Sequence, residues 1–280
     1  MSLALELLRA LPRNALSRAA GRLAALRLPR PLVRAEIAAF ARAVGADLSE
    51  VRDPLDSFES LQAFFTRALR PGARVIDPAP DSLVAPCDGA WGESGIVQAG
   101  QLLQVKGRPY SLAELLASRA DAAALEGGAF ATFYLAPRNY HRFHAPCDSR
   151  IESTRYVPGT LWPVNSIGLG GVDGLFAQNE RIAARMRATP GESLMYLVAV
   201  GATMVGKIRL CFDAPETNVR GARAEERAYP GGVTLAKGQE WGQFEFGSTL
   251  VLVAERGALQ LDARPPGSPL RLGERIGSLR

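Results

Sequence analysis

The sequence predicts an α+β fold: an N-terminal helical segment followed by a β-rich core. Three observations carry this. Residues 1 to about 70 are rich in Ala, Leu and Arg, and Pro12, Pro29 and Pro31 cut them into short helical segments. After Pro71 the pattern changes to short apolar runs separated by Gly and Pro. Finally, Ala85-Pro86-Cys87-Asp88 recurs as Ala145-Pro146-Cys147-Asp148, each copy following one strand-like run and preceding another. The echo suggests duplicated hammerhead-like, barrel-sandwich units facing each other across a pseudo-symmetric sheet. The division expected is 1–70 and 71–280.

Within the first region Leu3, Leu7 and Leu11 recur at helical spacing, and eight arginines between Arg9 and Arg42 stand against Glu6 and Glu36. A basic helix with one apolar face suits a membrane interface, and equally a solvated surface helix packed on its own domain. A further helix is expected from Ser57 to Leu69, with Phe58, Leu61, Phe64, Phe65 and Leu69 on one face, ended by Arg70-Pro71-Gly72. Strands are expected at Ser82–Ala85, Phe130–Leu135, Ile151–Val157, Leu194–Val200, Lys207–Phe212 and Thr249–Val253, and a helix at Ser111–Ser118. The longest apolar stretch, Leu194 to Gly206, falls short of the ~20 residues of a membrane span. It reads as two buried strands joined at Gly201.

The chain has 280 residues, 47% hydrophobic and 22% charged, enough for a sizeable core. Its formal charge is +5, and the only lysines are Lys106, Lys207 and Lys237. Three cysteines in a chain this long argue against a disulfide framework and favour a reducing compartment. Near Met1 the apolar runs are broken by Glu6, Arg9 and Pro12, so no secretory leader is read.

The chemistry gathers in few residues. The two histidines, His141 and His144, share one short segment, and histidine carries protons near neutral pH. His141, His144, Cys147 and Cys87 have the right atoms for tetrahedral zinc but lack paired ligand spacings, so no metal is expected. Ser248, in Phe246-Gly247-Ser248-Thr249, offers a nucleophile. A histidine of the 141/144 pair offers its base, and Asp88 an orienting carboxylate. Asp88-Gly89 is equally a common turn dipeptide.

Four stretches together resemble the prokaryotic phosphatidylserine decarboxylase proenzyme family: Tyr134 to Pro146, containing Tyr140-His141-Arg142-Phe143-His144; Leu175-Phe176-Ala177-Gln178-Asn179-Glu180-Arg181; Val200 to Gly206; and Lys237-Gly238-Gln239-Glu240-Trp241-Gly242 leading to Gly247-Ser248-Thr249. They occur in the family's order between about Phe40 and Val253, with Phe246 where the family usually has Leu. The resemblance implies self-cleavage between Gly247 and Ser248 into a β chain of 1–247 and an α chain of 248–280. Ser248 would become a covalent pyruvoyl cofactor that forms a Schiff base with phosphatidylserine and releases carbon dioxide to give phosphatidylethanolamine. It implies His144 as base, Asp88 as its orienter and His141 on the substrate side. Phosphatidylserine in the membrane, the two processed chains and a homodimer are the implied partners, with no nucleic acid. The implied place is the cytoplasmic face of the cell membrane, held peripherally by residues 1–70.

Two other readings stay in view. An Asp88/His144/Ser248 triad is also that of a serine hydrolase, and the basic helices alone fit a non-catalytic membrane-binding module.

Overall fold

A computed structural model describes residue 6 and residues 11–104, 107–203, 207–215, 217–245 and 249–280. Leu3 and Leu7 of the first expected helix lie outside this set. The chain is α+β and β-rich, with short helices. No helix among the described residues is long and apolar enough to cross a membrane.

Two helices open the chain, α1 (Arg13–Ala24) and α2 (Arg30–Val44). Pro31 sits in the first turn of α2, where its missing N–H costs nothing, and Gly45 closes it in the left-handed conformation with φ 75°. The helix expected over Ser57–Leu69 is shorter: a 3₁₀ turn at Leu55–Ser57 and α3 (Leu61–Phe65). Ser60, whose side chain accepts from Ala63 N, starts α3 later than the apolar spacing suggested. The five apolar residues do not share one face. Phe58 and Phe64 pack edge-to-face in a cluster with Val33, Ile37 and Val51, whereas Phe65 turns to His141 and Leu69 bridges Val51.

The core strands are β1 (Ser82–Val84), β2 (Gly89–Ile96), β3 (Gln101–Gln104), β4 (Arg108–Ser111), β5 (Ala129–Tyr134), β6 (Arg142–His144), β7 (Ser149–Val157), β8 (Arg181–Ala188), β9 (Leu194–Val200), β10 (Ile208–Leu210), β11 (Glu225–Leu235), β12 (Glu240–Phe244), β13 (Thr249–Ala254), β14 (Leu259–Leu261), β15 (Pro269–Leu270) and β16 (Arg275–Leu279). Short helices α4 (Leu112–Leu116), α5 (Arg119–Ala124), α6 (Ser166–Gly171) and α7 (Leu175–Gln178) lie between them. An eight-stranded antiparallel sheet runs β11-β7-β8-β9-β13-β5-β2-β15. Its middle strands are apolar on both faces because both faces are covered. On β13, Leu250 and Leu252 enter one core and Val251 and Val253 the other. Helices α4 to α7 cover the second face, which explains why β9 and β13 read as unbroken apolar runs. The stretch Leu194–Gly206 gives one strand, not two among the described residues: β9 ends at Val200, residues 201–203 leave the sheet, and 204–206 lie outside the description.

Two three-stranded sheets, β1-β16-β14 and β6-β12-β10, cover the first face. Their registers correspond position by position. Ser82, Leu83 and Val84 pair with Ser278, Gly277 and Arg275, with a bulge before the last pair. Arg142, Phe143 and His144 pair with Gln243, Gly242 and Glu240, with a bulge at the same place. The third strands match too: Leu259 and Gln260 face Leu279 and Ser278, as Ile208 and Arg209 face Phe244 and Gln243. The repeated Ala-Pro-Cys-Asp segments follow β1 and β6 and bind each other reciprocally. Val84 N donates to Pro146 O at 2.9 Å, and His144 N donates to Pro86 O at 2.7 Å. Ala85 exchanges backbone bonds with Gly273 and Glu274, and Ala145 with Gly238 and Gln239. Asp88 Oδ1 accepts from Leu272 N, as Asp148 Oδ1 accepts from Lys237 N.

Both glycines of these loops have φ above +70°, and both approach Ile76: an added Cβ would stand 2.7 Å from Ile76 on Gly238 and 2.6 Å from Ile76 and Val75 O on Gly273. Gly273→Ala is therefore expected to cost about 3 kcal/mol in urea denaturation. Gly72→Ala, at φ +80° but in open space, should cost only about 1 kcal/mol. Equal losses would show that the Ile76 contact yields freely.

Candidate active site

The ends of four neighbouring strands meet at one edge of the large sheet. Ala90 on β2 pairs with Tyr134 on β5, Tyr134 pairs with Thr249 on β13, and Thr249 pairs with Val200 on β9. Asp88 precedes β2, and Gly247-Ser248 precede β13. Phe246, Gly247 and Ser248 lie outside the described residues, so the site is described by what frames them. Gly89 belongs to this frame through close approach rather than a turn: a Cβ there would lie 2.1 Å from Tyr134 O.

Three residues of the Asn179-Glu180-Arg181 motif hold this edge in place. The buried Asn179 amide donates to Trp162 O at 2.9 Å and Gly201 O at 2.8 Å and accepts from Trp162 N, which fixes the turn after β9 beside Thr249. Arg181 is buried and donates to four carbonyls, among them Leu115 O and Glu114 O, tying α4 to β8; burial lowers its pKa to about 10. Glu180 accepts from Tyr156 and from Asn218 N, and burial pushes its pKa up.

His144 ends β6, with its amide held by Pro86 O. Its Nδ1 lies 2.8 Å from Gly238 O and Nε2 lies 3.3 Å from the Tyr140 hydroxyl. A carbonyl only accepts, so Nδ1 carries the proton and Nε2 keeps its lone pair. Burial holds the imidazole pKa below its ordinary value, against the opposing pull of the Gly238 carbonyl and Glu240. His144 is thus neutral at pH 7, with a basic nitrogen at Nε2.

His144 N bonds Pro86 O and Asp88 follows Pro86 by two residues, within electrostatic range of the imidazole, but the triad hydrogen bond between them is not among those described. The Asp88 carboxylate instead accepts from Arg74 Nε at 2.7 Å and from Leu272 N at 2.9 Å. Arg74 also pairs with Glu50, which binds Arg271. The group orienting His144 is the Gly238 carbonyl. Sequence reasoning missed Arg74, Glu50 and Tyr140; only Tyr140 had a signal, its place beside the histidines.

His141 is fully buried, its Nδ1 donating to Asn139 O at 2.8 Å and its ring on Phe65 with centroids 4.0 Å apart. Burial first, and Arg67 second, push its pKa down to about 3. Nε2 has no hydrogen-bond partner among the described residues, a costly state for a buried polar atom and a reason to expect a ligand there. Cys87 and Cys147 are buried free thiols at matching positions. No group of three or more His, Cys, Asp or Glu suited to a metal occurs among the described residues.

Residues 61–278 match the family model described as phosphatidylserine decarboxylase. The chain belongs to this family. A phosphatidylserine decarboxylase proenzyme from Anaeromyxobacter sp. (strain K) is 47% identical over 273 residues, covering 96% of each chain. Proenzymes of the same description from Brevibacillus brevis and Myxococcus xanthus are 39% and 36% identical, covering 91% and 98% of this chain and 89% and 97% of theirs. Among the described residues, the histidine segment and Asn179-Glu180-Arg181 of the motifs that suggested the family by sequence lie at this part of the fold.

The depressed pKa of His141 has a sign. Its share of stability is complete above the unfolded value near 6.5 and is lost as pH falls towards about 3, because the unfolded chain binds a proton the folded site refuses. The loss approaches about 1.4 kcal/mol per pH unit. His141→Phe should flatten the fall in denaturation free energy between pH 6.5 and 4. An unchanged slope would mean that His141 takes up protons in the folded protein.

Proposed function

We propose that the chain is a phosphatidylserine decarboxylase that matures by cleaving itself between Gly247 and Ser248. Family membership carries the reading, and the nearness of His141 to Phe244 and of Asp88 to the strand paired through Tyr134 to Thr249 supports it. Nothing among the described residues favours the hydrolase alternative.

In maturation the acceptor nitrogen of His144 takes the Ser248 hydroxyl proton, and the hydroxyl oxygen bonds to the Gly247 carbonyl carbon. The peptide C–N bond breaks and its nitrogen takes a proton, leaving an ester. Removal of the Ser248 α-proton then breaks the Cβ–O bond and frees residues 1–247 with a carboxylate end. The unsaturated residue adds water and loses ammonia, which leaves a pyruvoyl group at the head of 248–280. Asp88, held by Arg74 and Leu272 N, stands as a fixed negative charge that favours the protonated form His144 passes through.

The pyruvoyl group supplies the electrophilic carbonyl that no side chain offers, the sink for the electron pair left when carbon dioxide departs. The Nε2 of His141, without a partner among the described residues, fits this use. Kept neutral by burial, with Nδ1–H fixed on Asn139 O, it offers a lone pair that accepts a hydrogen bond from the substrate and helps to hold it in place. Phosphatidylethanolamine is the product.

The substrate lies in a bilayer, and residues 1–70 supply the contact. Leu16, Leu23, Leu26, Leu28 and Leu32 are exposed among arginines that have anionic headgroups as natural partners. On this reading the chain attaches peripherally at the cytoplasmic face, with 71–280 as the catalytic core. The matched registers of the two small sheets support reading them as duplicated hammerhead-like, barrel-sandwich units.

Mass spectrometry of the purified protein tests this. Two chains are expected, 1–247 and 248–280, the smaller blocked by a ketone that borohydride reduces with loss of carbon dioxide release. Ser248→Ala should give one inactive chain. A single intact wild-type chain with full decarboxylase activity would refute the reading.

A further inference from the structure

A cavity of about 610 Å³ lies between α1 and the segments around Lys207 and Asn218. Arg18, Arg22, Lys207 and Arg220 line it, and none of the four makes an ion pair or side-chain hydrogen bond with another described residue. Arg18 and Arg22 are one turn apart and share a face of α1. The one carboxylate in the lining, Glu245, is already engaged by Arg209 Nε at 2.5 Å and by Gln62. Glu180 lies within electrostatic range of Arg18, so four cations face two carboxylates and the lining is net positive. Unpartnered cations around a concave wall are costly to gather unless an anion joins them.

Two further observations place this cavity beside the reaction. Glu245 N bonds Lys207 O at 2.9 Å, and Glu245 directly precedes the 246–248 segment. Gln62 stands on α3, whose Phe65 stacks on His141, and Phe244 N bonds His141 O. The cavity thus adjoins the His141 side of the site. Asn218, on the same wall, is buried with its Oδ1 unpartnered among the described residues, and exposed Val219 provides an apolar lip.

We propose that this cavity holds the phosphodiester of the lipid substrate. Arg18, Arg22, Lys207 and Arg220 take the phosphate oxygens, and the acyl chains leave past Val219. The assignment rests on the decarboxylase reading. It makes α1 a wall of the substrate site as well as a membrane contact. These are binding residues, set apart from the groups that cleave the chain.

The test uses mature protein and dihexanoyl phosphatidylserine below its micelle concentration, so that no lipid surface is present. Arg22→Ala and Arg220→Ala should each raise KM about tenfold with kcat within about twofold, while the two-chain mass pattern stays that of wild type. Arg119→Ala, at an exposed arginine elsewhere, should leave KM unchanged. Glycerophosphoserine should inhibit wild type competitively and the Arg22 variant about tenfold more weakly. An unchanged KM, or a loss seen only with vesicles, would overturn the proposal. So would inorganic phosphate matching glycerophosphoserine, since that is the behaviour of a free-phosphate site. Wild type that releases no carbon dioxide from either substrate would instead overturn the decarboxylase reading.

Discussion

Two backbone hydrogen bonds hold the site together: Val84 N to Pro146 O and His144 N to Pro86 O. They join the two small sheets across their repeated segments, and each proline contributes only the acceptor it has left. Because the bonds are reciprocal, neither segment shifts along the other without breaking both. His144 is itself one of the donors, and Asp88 follows one of the acceptors by two residues. The spacing of the two residues is thus set by main chain. The side chains are then aimed by separate partners, Gly238 O for the imidazole and Arg74 with Leu272 N for the carboxylate. A shared backbone frame with independent aiming allows the two groups to be close without being bonded.

Burial sets the proton state of both histidines, and it does so more strongly for His141. An imidazole with no exposed surface and an arginine nearby has nothing to gain from a charge. His144 keeps some solvent and has Glu240 and Asp88 within electrostatic range, so its depression is opposed. One histidine is fixed in the neutral form and the other is able to accept and return a proton. Two identical side chains three residues apart are made different by surroundings alone.

Much of this was legible in the sequence, and the reasons are local. β5, β9 and β13 were readable because strands covered on both faces become continuous apolar runs. Helix α4 was readable because Ser111 caps it. β8 and β11 were missed: their charged residues look like surface loop until the bonds of Arg181 to four carbonyls, the ion pairs of Arg185 and Arg187 with Asp121 and Glu152, and that of Glu226 with Arg155 are known. The overlong helix at 57–69 failed because apolar spacing does not show that Ser60 caps a helix of five residues, or that Phe64 packs on Phe58 while Phe65 packs on His141. In the site, the histidines and Asp88 were legible by type, but Arg74 was not: its role depends on an ion-pair network joining residues 50, 74, 88 and 271, which no local pattern encodes.

The place of β13 has one more consequence. It lies inside the large sheet, bonded along its length to β5 on one side and β9 on the other, while β16 is the middle strand of a small sheet. A backbone break just before β13 therefore creates a new chain end without creating a separable piece. The C-terminal fragment stays as an interior stave, and pulling it out would mean opening both sheets at once. The two products of such a cut behave as one folding unit with a nick, and the fresh terminus is delivered to the strand-end edge by the fold that existed before it.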